Sequence, residues 1–535
     1  MIIFVSDMFV ENYVGGAELT SEAIIKSSLL PVIKVHSSSV DIKFLKSNKD
    51  KFWIFGNFSN MPESSIVYAA KFLNYCVLEY DYKYCIYRSP EKHISIDKQC
   101  GCHNERRGKL ISVFYKKAKI VWFMSKKQMD IYLELFPFLD NTKVLSSVFS
   151  EETLSFIEEL DYSIKDNKWI ILDSNSWVKG RDLAVQKAKE EKLEYELVWG
   201  LDHKQLLKKL STSKGLIYLP NGSDTCPRLT IEAKLLGCEL ILNESCQHIS
   251  EDWFSELESC KSYLSTRTRV FWDKVEDLWH LDTPKKSDSE EVFFNIIVPF
   301  YNASEWISNC IDSLKRQHYN NFRCFLIDDI STDNSVEVIN SKIKNDKRFT
   351  LIQNKNKKYA LRNIAETIQG FCKDPEEVNI LLDGDDWLSS KNVLSYLSNT
   401  YTEERCLMTY GSYVYYPTGR RGVEPSEYPE HVIENNSFRQ DAWRASHLRT
   451  FKTKLWSHLN LQDLKDSKGK YYTTAYDQAL LLPLLEICGD KSRFIEKILH
   501  VYNRANPLNV DKVKQRLQYE TSLEVRNKKI YEKRY

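Results

Sequence analysis

The stretch Ile380-Leu381-Leu382-Asp383-Gly384-Asp385-Asp386-Trp387-Leu388 decides how this chain is read: an apolar run with the pattern of a buried strand ends in three carboxylates. Carboxylates two apart at the C-terminal mouth of a strand can share one hard divalent cation, which prefers oxygen ligands and also binds phosphate oxygens. A nucleotide diphosphate is the natural partner of such a site. Asp-x-Asp also occurs in turns and helix caps, so the motif gains its weight from its neighbours.

Upstream, residues 294–302 form an apolar strand that ends at Pro299, and a helical pattern from Ser304 puts Trp306, Ile307, Cys310, Ile311 and Leu314 on one face. A second strand, from Cys324, runs into Asp328-Asp329-Ile330-Ser331-Thr332-Asp333-Asn334-Ser335, and Val336, Val338 and Ile339 open another helix. This is βαβ grammar, with polar residues at successive strand ends. In an open sheet those ends line one crevice, where ligands bind.

With these motifs in order, residues 293–508 resemble the family 2 glycosyltransferases, which have the GT-A fold. The resemblance rests on Val298-Pro299-Phe300-Tyr301-Asn302, on Asp328-Asp329-x-Ser331-x-Asp333, on Ala360-Leu361-Arg362-Asn363 and on Asp383-Gly384-Asp385-Asp386. It implies that Pro299, Tyr301, Asp328 and Asp329 cradle the base and ribose of a sugar nucleotide and that Arg362 lies near the ribose and phosphates. It further implies that Asp383 and Asp385 hold Mn2+ or Mg2+ on the diphosphate. Lys357-Lys358 stand where the family often has Gly, which leaves the local backbone path open.

Physical chemistry leads the same way. A nucleoside diphosphate leaving group gathers negative charge that a bridging metal stabilises, and the acceptor hydroxyl needs a base within hydrogen-bond reach. Thr473-Thr474-Ala475-Tyr476-Asp477-Gln478 heads an apolar helix and resembles the acidic segment that carries the base in inverting members, with Tyr476-Asp477 in place of Glu-Asp. Asp477 is the candidate base; its alternative role is to cap its own helix. His447, in the segment that resembles the strand before the base, is a candidate for lining the donor site, and Arg504 and His500 belong to a late motif. Trp387 reads as core packing under the metal loop.

The first 285 residues follow another pattern. Residues 1–7 form a first buried strand, too short and without the cationic start of a signal peptide, and lead to the glycine turn Val14-Gly15-Gly16-Ala17, which can present N–H groups to an anion. Strands are expected at residues 169–173, 195–199 and 215–220, with Val178-Lys179-Gly180 before a helix. The segment from Asn221 through Asp224 and Glu232-Ala233 to Gly237 resembles the second half of a GT-B glycosyltransferase of the family 4 type. The residues that this resemblance singles out are Gly16, Lys179, Asp224 and Glu232. Three readings stay open: an active second transferase site, a degenerate domain that binds a glycan or partner, and a structural unit. Asp224 stands where the family has Glu, no Arg stands at the usual place before Lys179, and the segment is short for two full lobes.

The chain has 13 cysteines, and reduced thiols in a cytosol are the default for an odd number without a secretion signal. His93, Cys100, Cys102 and His103 cluster with Cys76 and Cys85 upstream, but the spacing does not match a C-x2-C zinc pair, so ordinary thiols in a surface loop are expected, with zinc as the alternative. With 535 residues, 42% hydrophobic and 28% charged, the chain is long enough for two or three cored domains. A net charge of +1 gives no argument for nucleic acid. No apolar stretch has membrane-spanning length, so a cytoplasmic protein, at most peripheral to a membrane, is expected.

The expectation is therefore an α/β protein in four parts: Rossmann-like, GT-B-like lobes at residues 1–160 and 161–285, a polar boundary at 282–291, a GT-A domain at 293–508, and a basic C-terminal helix at 509–535, read as a solvated helix with contact to an anionic membrane as the alternative. Its expected activity is an inverting, metal-dependent transfer of sugar from a nucleotide sugar, a UDP-sugar first, to a hydroxyl of a glycan, lipid-linked or protein-linked acceptor. The alternatives are a glycan-binding scaffold with a degenerate transferase domain and a sugar nucleotidyltransferase; the latter would carry a glycine-rich basic loop after the first strand, where this chain has Pro299-Phe300-Tyr301-Asn302.

Overall fold

A computed structural model describes residues 2–279, 292–509 and 515–535. It divides into two compact units, one built from Ile2–Ser28 and Val32–Trp279 and the other carrying the rest. The polar boundary expected at residues 282–291 lies outside the described residues.

In the first unit, strands β1 (Ile2–Ser6), β2 (Val32–His36), β3 (Phe52–Phe55), β4 (Asn74–Glu79), β5 (Ile120–Phe123) and β6 (Thr142–Val144) form a parallel sheet in the order β2-β1-β3-β4-β5-β6. A second parallel sheet, in the order β10-β9-β7-β8, contains β7 (Trp169–Leu172), β8 (Tyr195–Val198), β9 (Gly215–Tyr218) and β10 (Glu239–Leu242). Parallel strands need crossover connections and are covered on both faces, which is why runs such as Phe52-Trp53-Ile54-Phe55 are apolar throughout and fully buried. The expected break near residue 160 falls between β6 and β7. The lobes are not contiguous segments, however, because the helix Arg267–Trp279 returns to the first: Trp272 Nε1 donates to Ile24 O at 2.9 Å and Phe271 meets the Trp122 ring at 5.6 Å.

The second unit has one eight-stranded mixed sheet. Its strands are β11 (Phe294–Phe300), β12 (Phe322–Asp328), β13 (Phe349–Gln353), β14 (Val378–Leu381), β15 (Trp387–Leu388), β16 (Met408–Tyr416), β17 (Arg449–Lys452) and β18 (Ser492–Asn503), in the order β13-β12-β11-β14-β17-β16-β18-β15. The first four are mutually parallel and β17 runs antiparallel to β14. The helix expected from Ser304 begins at Ile307, because the backbone N–H groups of Ala303 and Ser304 donate to Ser335 Oγ and Asp333 Oδ2 instead. Of the expected face, Ile307, Cys310, Ile311 and Leu314 are fully buried, while Trp306 stands at the N-cap and is half-buried. Trp387 is likewise core, 1% exposed and 5.2 Å from the Tyr416 ring. The helix Tyr476–Cys488 is buried nearly all round, with Leu480, Leu481, Leu482, Leu484 and Leu485 inaccessible.

The expected C-terminal helix is shorter than residues 509–535. It runs Gln515–Arg526, residues 510–514 lie outside the described residues, and the basic stretch from Lys528 is not helical. It is also not a free appendage: Val525 is 1% exposed in the core, Tyr472 donates to Glu524 at 2.8 Å, and Lys528 Nζ donates to the carbonyls of Asp463 and Lys465 at 2.9 and 2.6 Å. No helix of the described residues is long and apolar enough to cross a membrane.

Candidate active site

The parallel pairing β12-β11-β14 sets three C-terminal strand ends side by side, with Phe300 opposite Asp328 and Ile297 opposite Leu381. The acidic loop is seated on this edge by its backbone: Gly384 N donates to Pro299 O at 3.1 Å. A Cβ at Gly384 would stand 2.5 Å from Phe300 Cβ, so only glycine lets the loop approach this closely.

The three carboxylates of that loop face different partners. Asp383 accepts the Tyr476 hydroxyl at 2.7 Å on Oδ1 and 3.0 Å on Oδ2. Asp385 accepts Asn506 Nδ2 at 2.7 Å, and burial, then the negative charges of Asp386 and Asp383, push its carboxyl up to about 8. Asp386 turns into the core: it is 1% exposed, accepts Asn503 N at 2.8 Å and sits 2.9 Å from His500 Nε2. Burial and Asp383 hold its carboxyl well above the usual range. Such crowding of negative oxygen donors fits a divalent cation, held by Asp383 and Asp385, whose charge would relieve their repulsion.

Beside them stands a buried chain of cations and rings. His447 stacks on His500 at 4.5 Å and accepts Arg449 Nη2 at 2.8 Å. Burial, together with Arg449 and His500, holds the His447 imidazole well below its ordinary value, and burial brings His500 to about 3. Arg449, 6% exposed, continues to Asp477 Oδ2 at 3.6 Å. His447 therefore stands behind Arg449 as its neutral acceptor. Asp477 lies in the first turn of the helix Tyr476–Cys488, whose N-cap is Ala475, and no side chain caps that end; its carboxylate faces Arg449 instead.

On the other flank, Asp328 accepts Ser331 N at 2.9 Å. Asp329 is fully engaged within the protein: Oδ1 accepts Lys358 N, Asn354 Nδ2 and Asn363 Nδ2 at 2.8, 3.1 and 3.2 Å, and Oδ2 accepts Tyr359 N at 2.9 Å. It braces the loop where the sequence has Lys357-Lys358 in place of glycine, and the left-handed conformation falls on Tyr359 at φ 61°. Asn302, Ile330 and Ala475 also have positive φ at neighbouring loops, a concentration of backbone strain typical of binding sites. Lys357 Nζ lies 2.9 Å from the Tyr301 ring centroid, and Tyr301 is 41% exposed. Arg362 turns along its helix to Glu366 at 2.7 Å. Arg504 lies over the Tyr415 ring at 5.5 Å.

In the first unit three of the four expected residues, Lys179, Asp224 and Glu232, fall into two ion-paired groups. Lys179 Nζ donates to Asp224 Oδ2 at 2.8 Å, which also accepts the Tyr218 hydroxyl at 2.6 Å. Glu232, 2% exposed, meets His203 Nε2 at 2.8 Å and Arg228 Nε at 3.4 Å. Burial raises both carboxyls, but these cations hold each below its usual range. Arg228 also passes within 3.8 Å of where a Gly16 side chain would begin, so the glycine turn and the Glu232 group are neighbours. Arg228 was legible as the i,i+4 partner of Glu232; Tyr476 and Arg449 lay beside named residues; Asn506 carried no signal.

Residues 295–458 match the model of glycosyl transferase family 2. That segment is similar to the family 2 glycosyltransferase domain. The family 2 match takes in Pro299, Tyr301, Asp328, Asp329, Arg362, Asp383, Asp385 and His447, and ends before Asp477. An uncharacterized glycosyltransferase of Haemophilus influenzae is 35% identical over 123 residues, which are 23% of this chain and 47% of that protein. The glycosyltransferase GlyG of Streptococcus pneumoniae is 28% identical over 122 residues, 23% of this chain and 39% of that protein. The chain thus spans less than half the length of these relatives. The crystal structure of S. aureus TarS 1–349 in complex with UDP-GlcNAc has a TM-score of 0.32 and 17% identity, covering 40% of this chain and 59% of that one.

Proposed function

We propose that this chain is a glycosyltransferase that moves a sugar from a nucleotide-sugar donor, a UDP-sugar first, to a hydroxyl of a glycan, lipid-linked or protein-linked acceptor. The observation that carries this is the convergence of Asp383 and Asp385 with the Arg449–Asp477 pair on the edge of the sheet formed by the family 2 domain. Asp383 and Asp385 would hold Mn2+ or Mg2+, which when bound stabilises the charge that develops on the diphosphate.

The protein's own groups supply the rest. Tyr301 and Asp328 border the nucleoside side, with Lys357 adding positive charge next to Tyr301. Arg449 orients the Asp477 carboxylate through their ion pair. Asp477 takes the proton of the acceptor hydroxyl as its oxygen attacks the anomeric carbon, and the bond to the diphosphate breaks on the opposite face. In-line displacement inverts that carbon.

For the first unit we favour a GT-B-like fold that binds a glycan or a partner. Two parallel sheets and the nearness of Gly16 to Arg228 support the fold. The protein cations already paired to Asp224 and Glu232 favour binding over a second transfer site.

The test is release of nucleoside diphosphate from a panel of sugar nucleotides with Mn2+ and no acceptor, with thermal shift as a second readout. One donor should be hydrolysed slowly and should raise the melting temperature. A panel with no turnover and no shift would favour the glycan-binding scaffold.

A further inference from the structure

The segment between β4 and the helix Arg106–Lys117 folds four metal-binding side chains onto one point, none of them a residue of either site above. Cys85 lies in a turn, His93 on the helix Pro90–Asp97, Cys100 in the loop that follows, and Cys102 at the start of the short 3-10 helix Cys102–Asn104. Cys85 Sγ is 3.6 Å and Cys102 Sγ 3.4 Å from His93 Nδ1, Cys100 Sγ is 3.8 Å from Cys85 Sγ, and all four donor atoms lie within 4.8 Å of one another.

Those separations have a specific meaning. A tetrahedral ion with Zn–S of about 2.3 Å and Zn–N of about 2.0–2.1 Å has edges of about 3.8 Å between sulfurs and about 3.6 Å between sulfur and nitrogen. The other ring nitrogen, His93 Nε2, faces Asp97 Oδ2 at 3.2 Å, the carboxylate partner that orients a metal-bound histidine. His103, adjacent in sequence, is not part of the group; its Nε2 meets Asn104 at 2.8 Å.

We propose that Cys85, His93, Cys100 and Cys102 bind one structural Zn2+. Four protein ligands leave no open position, so the ion is structural rather than catalytic. On binding, three S–H bonds break, three protons pass to buffer, and three Zn–S bonds and one Zn–N bond form, with no change of oxidation state. The irregular spacing Cys85-x7-His93-x6-Cys100-x-Cys102 is what hid the site in the sequence.

Its consequence is local order. A Cβ at Gly108 would stand 2.6 Å from His103 Cα and nearer still to the Cys102 carbonyl, so this loop is pressed onto the next helix. The same segment carries Glu91, which accepts the Ser223 hydroxyl from the second lobe of the unit. The ion thereby fixes the loop that meets the stretch just before Asp224.

The test is metal content of the full-length chain, produced without a histidine tag in zinc-supplemented medium and exchanged into metal-free reducing buffer. One equivalent of zinc per chain is expected, released by a thiol-blocking mercurial. Cobalt exchanged into the wild type should show the visible d–d bands and sulfur-to-metal charge transfer of a tetrahedral thiolate site, a readout that needs no variant. Asp97→Asn should keep the fold and weaken zinc affinity about 10–100-fold. Zinc content should be unchanged by Asp385→Asn, which separates this ion from the one in the proposed active site. Absence of zinc and of cobalt bands in folded protein, a Cys85–Cys100 disulfide in protein kept under reductant, or full zinc retention in a His93→Ala, Cys102→Ser double variant would each overturn the assignment.

Discussion

Tyr476 donates its hydroxyl to both oxygens of Asp383, at 2.7 and 3.0 Å, and so ties the first turn of the helix that carries Asp477 to the acidic loop after β14. The family pattern has a second acid at this position; a tyrosine there adds a donor to the acidic cluster without adding a negative charge. Replacing it by phenylalanine should leave the fold intact, because the ring stays. A hydrogen bond to a charged group is worth about 1.5–3 kcal/mol, so Tyr476→Phe should lower kcat/KM for the donor about ten- to a hundredfold. Steady-state kinetics at saturating Mn2+ measures it, and an unchanged value would mean that the bond does not organise the site.

Asp477→Asn separates base from scaffold. Donor and metal binding should persist while transfer falls by about 10²–10⁴, the range for loss of a general base. Weakened donor binding with normal chemistry would reassign Asp477, through its pair with Arg449, to positioning.

How much of this was legible follows from sequence distance. Strand ends at Phe300, Asp328 and Leu381 were readable to within a residue, because each apolar run gives way to polar residues. The role of Asp329 was not, since its four partners come from residues 354–363 and only the folded loop brings them to it. Asn506, which engages Asp385, arrives from more than a hundred residues away with no pattern to announce it, whereas Asn503, which engages Asp386, stands inside the late motif between His500 and Arg504. The cysteine group failed for a related reason: its ligands obey tetrahedral geometry rather than a standard spacing. The C-terminal helix was misread because its basic residues suggested a solvated or membrane-facing element, whereas Val525 and the Lys528 hydrogen bonds dock the segment.

That docking rests partly on a buried ion pair. Arg439 Nε and Nη2 donate to Glu486 Oε1 and Oε2 at 2.5 and 2.9 Å, with both side chains at most 1% exposed, and Arg439 Nη1 donates to the Val525 carbonyl. Arg439→Leu would strand Glu486 in the core and should cost about 3–5 kcal/mol. Chemical denaturation of the full chain measures it; a loss below about 1 kcal/mol would contradict a dry, uncompensated site.

His248 gives the first unit an acid-sensitive step. Burial brings its imidazole from 6.5 to about 4, with Asp224 acting in the opposite direction. The unfolded chain protonates first, so this contribution is complete above pH 6.5 and is lost as pH falls from 6.5 towards 4. Melting curves should therefore lose stability more steeply in the wild type than in His248→Gln over that window, by up to about 1.4 kcal/mol per pH unit. Parallel curves would show that His248 titrates normally.

The most direct test of the central claim compares sugar transfer by the full-length wild type, Asp385→Asn and Glu232→Ala, each with Mn2+ and with chelator. The account predicts transfer that needs the metal, is abolished in folded Asp385→Asn, and survives in Glu232→Ala. Transfer that persists under chelation and in Asp385→Asn but disappears in Glu232→Ala would put the main catalytic site in the first unit and contradict it.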